Sequence, residues 1–292
     1  MKKGVFQSLL ASMLLLLSQY VVAAPKVIVS IPPLHSLVAG VMDGVGSPVL
    51  LGDSDNQSST LSLTNKLHLV TADMVVWVGP GYEKALAQTV ENELPALKPN
   101  MFALSHFLPL LPKGGIDLDK VNDPENRQAH RDLVFWMDPK LAVMAVRRIT
   151  LKLSKLDPDN LETYLDNEIN VVTRIKKMAH EMSSSLAPLR GSLTKQDQIP
   201  AYLAWRFGLL ERIERDSSQV AFDHSKSSFQ CEHLRHVNLQ QEKYLIADVK
   251  GSDLPLGQDL YFQLMARQVK VLTQCVPKPN SAANLGGEFH SS

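Results

Sequence analysis

Nine histidines and two cysteines bound the chemistry open to this 292-residue chain. His35 follows an apolar run, Lys26-Val-Ile-Val-Ser30, and so falls beyond the carboxyl end of a strand, where α/β folds gather their ligands. The competing reading is a helix-start imidazole packed on its own loop. His130 lies four residues before Val134, in a polar stretch from which its ring can turn inward or stay in solvent. Cys231-Glu-His-Leu-Arg-His236 gathers a thiol and two imidazoles, but the His-x2-His spacing of His233 and His236 suits neither one helical face nor one strand face. His68 reads as a solvated helix residue. Imidazoles, thiolates and carboxylates are zinc donors, and a tight tetrahedral site takes about three of them from the protein. Bond-making chemistry has less to stand on. There is no Gly-x-Ser-x-Gly elbow and no His-Glu-x-x-His, and Ser36 beside His35 is a neighbour in sequence only.

The elements that must position these groups alternate. Strands are expected at Lys26–Ser30, Val49–Leu51 and Met74–Val78, and helices at Leu34–Met42, Leu63–Val70 and Tyr82–Leu94, which implies βαβ units and a mostly parallel sheet. Pro109 to Arg131 reads as a long surface loop. Asp138-Pro139 is an N-cap followed by proline at N1, opening a helix to about Leu153, and Asp157-Pro158 repeats the device. Beyond it Leu161, Leu165, Ile169, Val172, Ile175, Ala179, Met182 and Leu186 recur at steps of three and four, predicting one amphipathic helix from Leu161 to Ala187. Tyr244–Ala247 reads as a strand, Gln258–Gln274 as a helix, and the residues from Pro277 on as a polar tail. The expected fold class is α/β: two lobes with mostly parallel sheets joined by one long rigid helix. The expected division is an N-terminal lobe over 24–155, the helix over 156–188, a smaller C-terminal lobe over 189–276 and a tail over 277–292.

Thirty basic and thirty acidic side chains balance, and no basic run offers a nucleic-acid surface. Lys2 and Lys3, the apolar run Leu9–Leu17 and Val22-Ala-Ala24 have the layout of a signal peptide over residues 1–23, cleaved after Ala23. The run is shorter than the ~20 residues a spanning helix needs. A periplasmic location is expected.

Several segments, in order, resemble one family. Val29-Ser-Ile-Pro-Pro-Leu-His-Ser-Leu-Val-Ala-Gly40 and its continuation to Gly46, Ala72-Asp-Met-Val-Val-Trp-Val-Gly-Pro-Gly-Tyr-Glu83, Phe135-Trp-Met-Asp-Pro139, Leu156-Asp-Pro158 and Arg206-Phe-Gly-Leu209 are similar to periplasmic zinc-uptake solute-binding proteins of metal ABC importers. The resemblance implies a two-lobed fold with a metal cleft between the lobes, no catalytic residues, zinc as the carried ion, a membrane permease as partner, and a monomer. At the family's three histidine positions this chain has Gln57 or Ser59, then Val134, then the segment Ile199-Pro-Ala-Tyr202. The family's carboxylate position is matched by Asp248. Asp248, His35 and His130 are therefore the expected metal ligands. Some members carry a disulfide at places comparable to Cys231 and Cys275, and an even pair in an exported chain favours that bridge. Closing that loop stabilises by roughly 3–4 kcal/mol. A zinc site of Cys231, His233 and His236 is the alternative and needs reduced thiolate. The second functional reading is a periplasmic accessory paralogue that no longer captures metal.

Overall fold

The computed structural model describes residues 23–52, 61–115, 122–123, 129–193, 199–210 and 248–274. Four short strands, β1 (Val27–Val29), β2 (Val49–Leu50), β3 (Met74–Trp77) and β4 (Met101–Ala103), form one parallel sheet in the order β2-β1-β3-β4. Ile28 stands opposite Val49, Val27 opposite Met74, and Val76 opposite Phe102. Side chains alternate along a strand, so the sheet divides two cores. Val27, Val29, Met74, Val76 and Phe102 join one, while Ile28, Val75, Trp77 and Ala103 join the other. Strands buried on both faces are written as unbroken apolar runs, which is why β1 and β3 stand out in the sequence. β4 does not. Three residues between Pro99 and a 3-10 turn carry no periodic signal, and the strand was not anticipated.

Helix α1 (Pro32–Val41) starts with two prolines that need no hydrogen-bond partner in the first turn, and α2 (Leu63–Val70) is capped by Ser62 Oγ accepting from Asn65 N. Helix α3 (Lys84–Asn92) leads to β4. Helix α4 (Pro139–Leu156) is capped as expected, Asp138 accepting from Lys140 N, and runs three residues further than expected. Helix α5 (Leu161–Ser185) is the predicted long helix, unbroken over 25 residues. It packs on α1 and α4, and also on α7 (Leu260–Gln274), so it touches chain from both sides of itself. Helix α6 (Ala201–Phe207), not anticipated, ends at Gly208, whose φ of 65° gives the left-handed turn that stops it.

Two expectations need correcting. Asp157 does not cap a helix. A 3-10 turn, Pro158–Asn160, intervenes, and the Asp157 carboxylate instead accepts from Asn160 Nδ2 and from the Tyr164 hydroxyl at 2.7 Å. The buried stripe of α5 is also phased differently at its start. Tyr164, Val171, Ile175, Met178 and Met182 are buried, whereas Leu161, Leu165 and Ile169 are exposed, Ile169 by 63%. At about 100° per residue the latter three stand roughly 60–140° from the buried line. The hydroxyl bond to Asp157 turns Tyr164, rather than the leucines, towards α4. The expected strand Tyr244–Ala247, the cysteines Cys231 and Cys275, His233 and His236, Gln57 and Ser59, residues 1–22 of the expected leader 1–23 and the tail 277–292 lie outside the described residues.

Candidate functional site

The strand order reverses between β1 and β3, and the crevice beyond the carboxyl ends of strands at such a reversal is where open α/β sheets receive ligands. Glu83 fills it. The carboxylate accepts from Ser30 Oγ at 2.5 Å and Val78 N at 3.0 Å through Oε1, and from Gly79 N at 2.9 Å through Oε2. It thereby ties the end of β1 to the turn after β3. Burial raises its pKa, opposed by these three donors. Gly79 has φ 144°, and a Cβ there would strike Ser105 Oγ, so the turn requires glycine.

An aromatic wall stands beside this turn. Tyr82 meets Trp136 edge to face at 5.4 Å, and Trp136 meets Phe135 at 5.6 Å. Lys250 Nζ lies 5.7 Å from the Tyr82 ring centre. Trp136 Nε1 donates to Val249 O at 2.7 Å, and the Tyr261 hydroxyl donates to Trp136 O at 3.0 Å. Tyr202 on α6 closes the other side: its hydroxyl accepts from Leu111 N at 2.9 Å and donates to Asp132 O at 2.8 Å. Burial pushes the Tyr202 phenol well above its usual pKa, so it stays a donor. Arg206, one turn along, meets both oxygens of Asp138 at 2.6 Å, and Asp138 is fully buried.

The three residues expected to hold metal are engaged separately. Asp248 Oδ1 accepts from Lys250 N and Gly251 N, and Oδ2 accepts from Ser252 N and lies 3.1 Å from Arg267 NH2. Four donors take up its lone-pair directions. His35 is 8% exposed, with Nε2 donating to Pro48 O at 3.1 Å and Nδ1 without a partner. Burial lowers its pKa, partly offset by the Pro48 contact, so the ring is neutral and Nδ1 keeps its lone pair. His130 is half-buried, and its carbonyl receives Lys113 N in the short ladder that pairs Pro112 with Arg131. Val134, at one histidine position that the resemblance implies, packs against the main core, as does Ile199 in the segment Ile199-Pro-Ala-Tyr202 that covers another. Among the described residues, no group of three His, Cys, Asp or Glu side chains is placed to hold a metal ion.

Sequence reasoning missed Glu83, Tyr202 and the Arg206 partnership. A lone Glu after Gly-Pro-Gly-Tyr carries no periodic signal, and Arg206 is 68 residues from Asp138. The one legible sign was Asp138-Pro139, read as a cap, which it also is.

Comparison with known proteins points one way. The family model described as zinc-uptake complex component A, periplasmic, matches residues 27–221. The high-affinity zinc uptake system protein ZnuA of Yersinia pestis is 31% identical over 205 residues, which span 60% of this chain and 63% of that protein. Its counterpart in Brucella abortus is 22% identical over 308 residues, covering 86% and 92%. Among solved structures, a zinc-bound variant of AdcAII of Streptococcus pneumoniae aligns with a TM-score of 0.59 at 17% identity, over 86% of this chain and 98% of that one. At that identity the likeness shows the fold: two α/β lobes with a connecting helix.

Proposed function

Because the chain belongs to the family of zinc-uptake complex component A periplasmic proteins, we propose that it is the periplasmic zinc-binding protein of an ABC importer. The observation that carries this reading is the extent of the family match, from β1 through α6, together with relatives that are zinc uptake proteins. The ion is cargo, passed to a membrane permease. The chain acts by binding and docking rather than by catalysis, as a monomer exported through cleavage of residues 1–23. No described helix is long and apolar enough to cross a membrane.

Asp248, His35 and His130 remain the proposed donors, and their present engagements set the strength of capture. A carboxylate already held by Arg267 and three amides binds zinc only by exchanging one of those partners. His35 offers Nδ1 while Nε2 stays on Pro48 O, the usual way a second hydrogen bond fixes a ligating imidazole. Capture is therefore weaker than in a closed site with a full set of histidines. We further propose the lobe boundaries 24–155 and 189–276 and the Cys231–Cys275 disulfide.

The test is zinc accumulation in a strain whose other zinc importers are disabled. Loss of this chain should lower uptake of labelled zinc at low external concentration, and restoring it should recover uptake. Unchanged uptake would overturn the importer reading.

A further inference from the structure

We propose that Arg267 is a built-in competitor of the captured ion: its guanidinium holds Asp248 in the metal-free chain and withdraws onto Asp253 when a divalent cation takes its place. This rests on the reading of Asp248 as a metal donor and names the partner it exchanges. Arg267, on α7, stands between two carboxylates. Its Nη2 meets Asp248 Oδ2 at 3.1 Å, and its Nη1 meets Asp253 Oδ1 at 2.7 Å. Its Nε is buried and has no acceptor, so the terminal nitrogens alone fix the head. The two acceptors differ in setting. The Asp248 side chain is 6% exposed and that of Asp253 62%. The shorter contact goes to the surface carboxylate, on which the arginine can stay paired after leaving the buried one.

The other donors to Asp248 cannot make way in the same manner. Lys250 N and Gly251 N hold Oδ1, Ser252 N holds Oδ2, and all belong to one backbone turn. Gly251 has φ 67°, and a Cβ there would lie 2.9 Å from Leu254 Cδ1, so the turn is fixed by its backbone. It is also anchored to the aromatic wall, since Val249 O accepts from Trp136 Nε1. A guanidinium on a flexible stem is the donor that moves. Charge decides when it does. A carboxylate this buried is costly without a cation, so the metal-free chain keeps Arg267 in place. An ion at Oδ2 would stand beside the guanidinium, and like charges at that range repel. A singly charged ion brings no more charge than the arginine it replaces, whereas a divalent ion does. The exchange therefore favours divalent ions, and affinity reflects the difference between two cations' hold on one oxygen.

Isothermal titration of the exported, chelator-treated chain with zinc chloride tests this when repeated on variants. Arg267→Gln, which removes the competing charge, should bind zinc about tenfold more tightly than the native chain. Asp253→Asn, which removes the retreat, should bind it about twofold to fivefold more weakly. In the Arg267→Gln background the same change should have no effect, because both act through one guanidinium. A surface charge acting alone would weaken both backgrounds alike. Native or weaker affinity in Arg267→Gln overturns the exchange, as does an Asp253→Asn effect that persists without the arginine. If Arg267→Gln does not fold, Asp253→Asn decides: weaker binding supports the exchange and native affinity overturns it. The donor reading fails separately. Asp248→Asn with native affinity removes the donor and the exchange with it, and so does a native chain that takes up no zinc. A weakened Asp248→Asn beside an unchanged Arg267→Gln keeps the donor and loses the exchange.

Discussion

Gly40 on α1 faces Val171 on α5 so closely that a Cβ built at Gly40 would lie 2.7 Å from Val171 Cγ2. The glycine lets the two helices approach at the point where the long helix crosses α1. Gly40→Ala brings two opposed effects. Alanine favours a helix interior over glycine by about 1 kcal/mol. Overpacking against a β-branched side chain with one preferred rotamer costs about 1–3 kcal/mol. The clash outweighs the gain, and the variant should be less stable by up to about 2 kcal/mol in urea titrations, where an ordinary exposed helix glycine would give a gain.

Tyr164 and Asp157 make a buried pair at the start of the same helix, the hydroxyl donating at 2.7 Å. Tyr164→Phe keeps the ring in the core and strips the carboxylate of one of its two side-chain donors. A loss of about 1–2 kcal/mol is expected, since a buried charged acceptor is left short of a partner. Chemical unfolding of the two proteins at neutral pH measures it, and equal midpoints would show that Asn160 suffices.

Burial depresses the pKa of His35 below the 6.5 of a free imidazole. The sign follows from which state binds the proton first. As pH falls through 6.5 the unfolded chain takes up a proton that the folded chain refuses, so stability falls, and it continues to fall until the folded-state pKa is reached. His35→Gln removes this dependence. Between pH 7.5 and 5.5 the native chain should therefore lose more stability than His35→Gln does, a difference visible in paired urea titrations; parallel pH profiles would contradict it.

Asp248 organises the turn from Lys250 to Ser252 and holds Arg267 on α7. Asp248→Ala should cost about 2–4 kcal/mol, because three amide donors and a largely buried guanidinium lose their acceptor together. Asp248→Asn, which keeps an acceptor oxygen, should recover part of that stability but not the Arg267 ion pair. Thermal unfolding of the two variants in chelator separates this structural role from any role in metal capture.

The parallel sheet was legible because its central strands are buried on both faces, and that demand writes itself into the chain as Val27-Ile-Val29 and Met74-Val-Val-Trp77. The long helix was legible in length but not in phase. A stripe of leucines at steps of four satisfies helical periodicity whether or not it faces the core, and the hydroxyl–carboxylate bond of Tyr164 to Asp157 decides the rotation. The site was least legible. His35 and Asp248 drew attention as donor types, yet both are bonded within their own neighbourhoods. Tyr202, Arg206 and Glu83 do their work through partners 91, 68 and 53 residues away, and no local pattern announces such pairs.

Weak zinc capture with Asp248 among the donors is a proposal that one measurement tests directly. The most direct measurement is isothermal titration of the chelator-treated exported chain with zinc at neutral pH, repeated on Asp248→Asn. The account predicts one saturable site per chain, weaker than the ~10 kcal/mol or more of a closed structural zinc site, and a further loss of affinity in the variant. No heat of binding from the native chain, or equal affinity in both proteins, would contradict it.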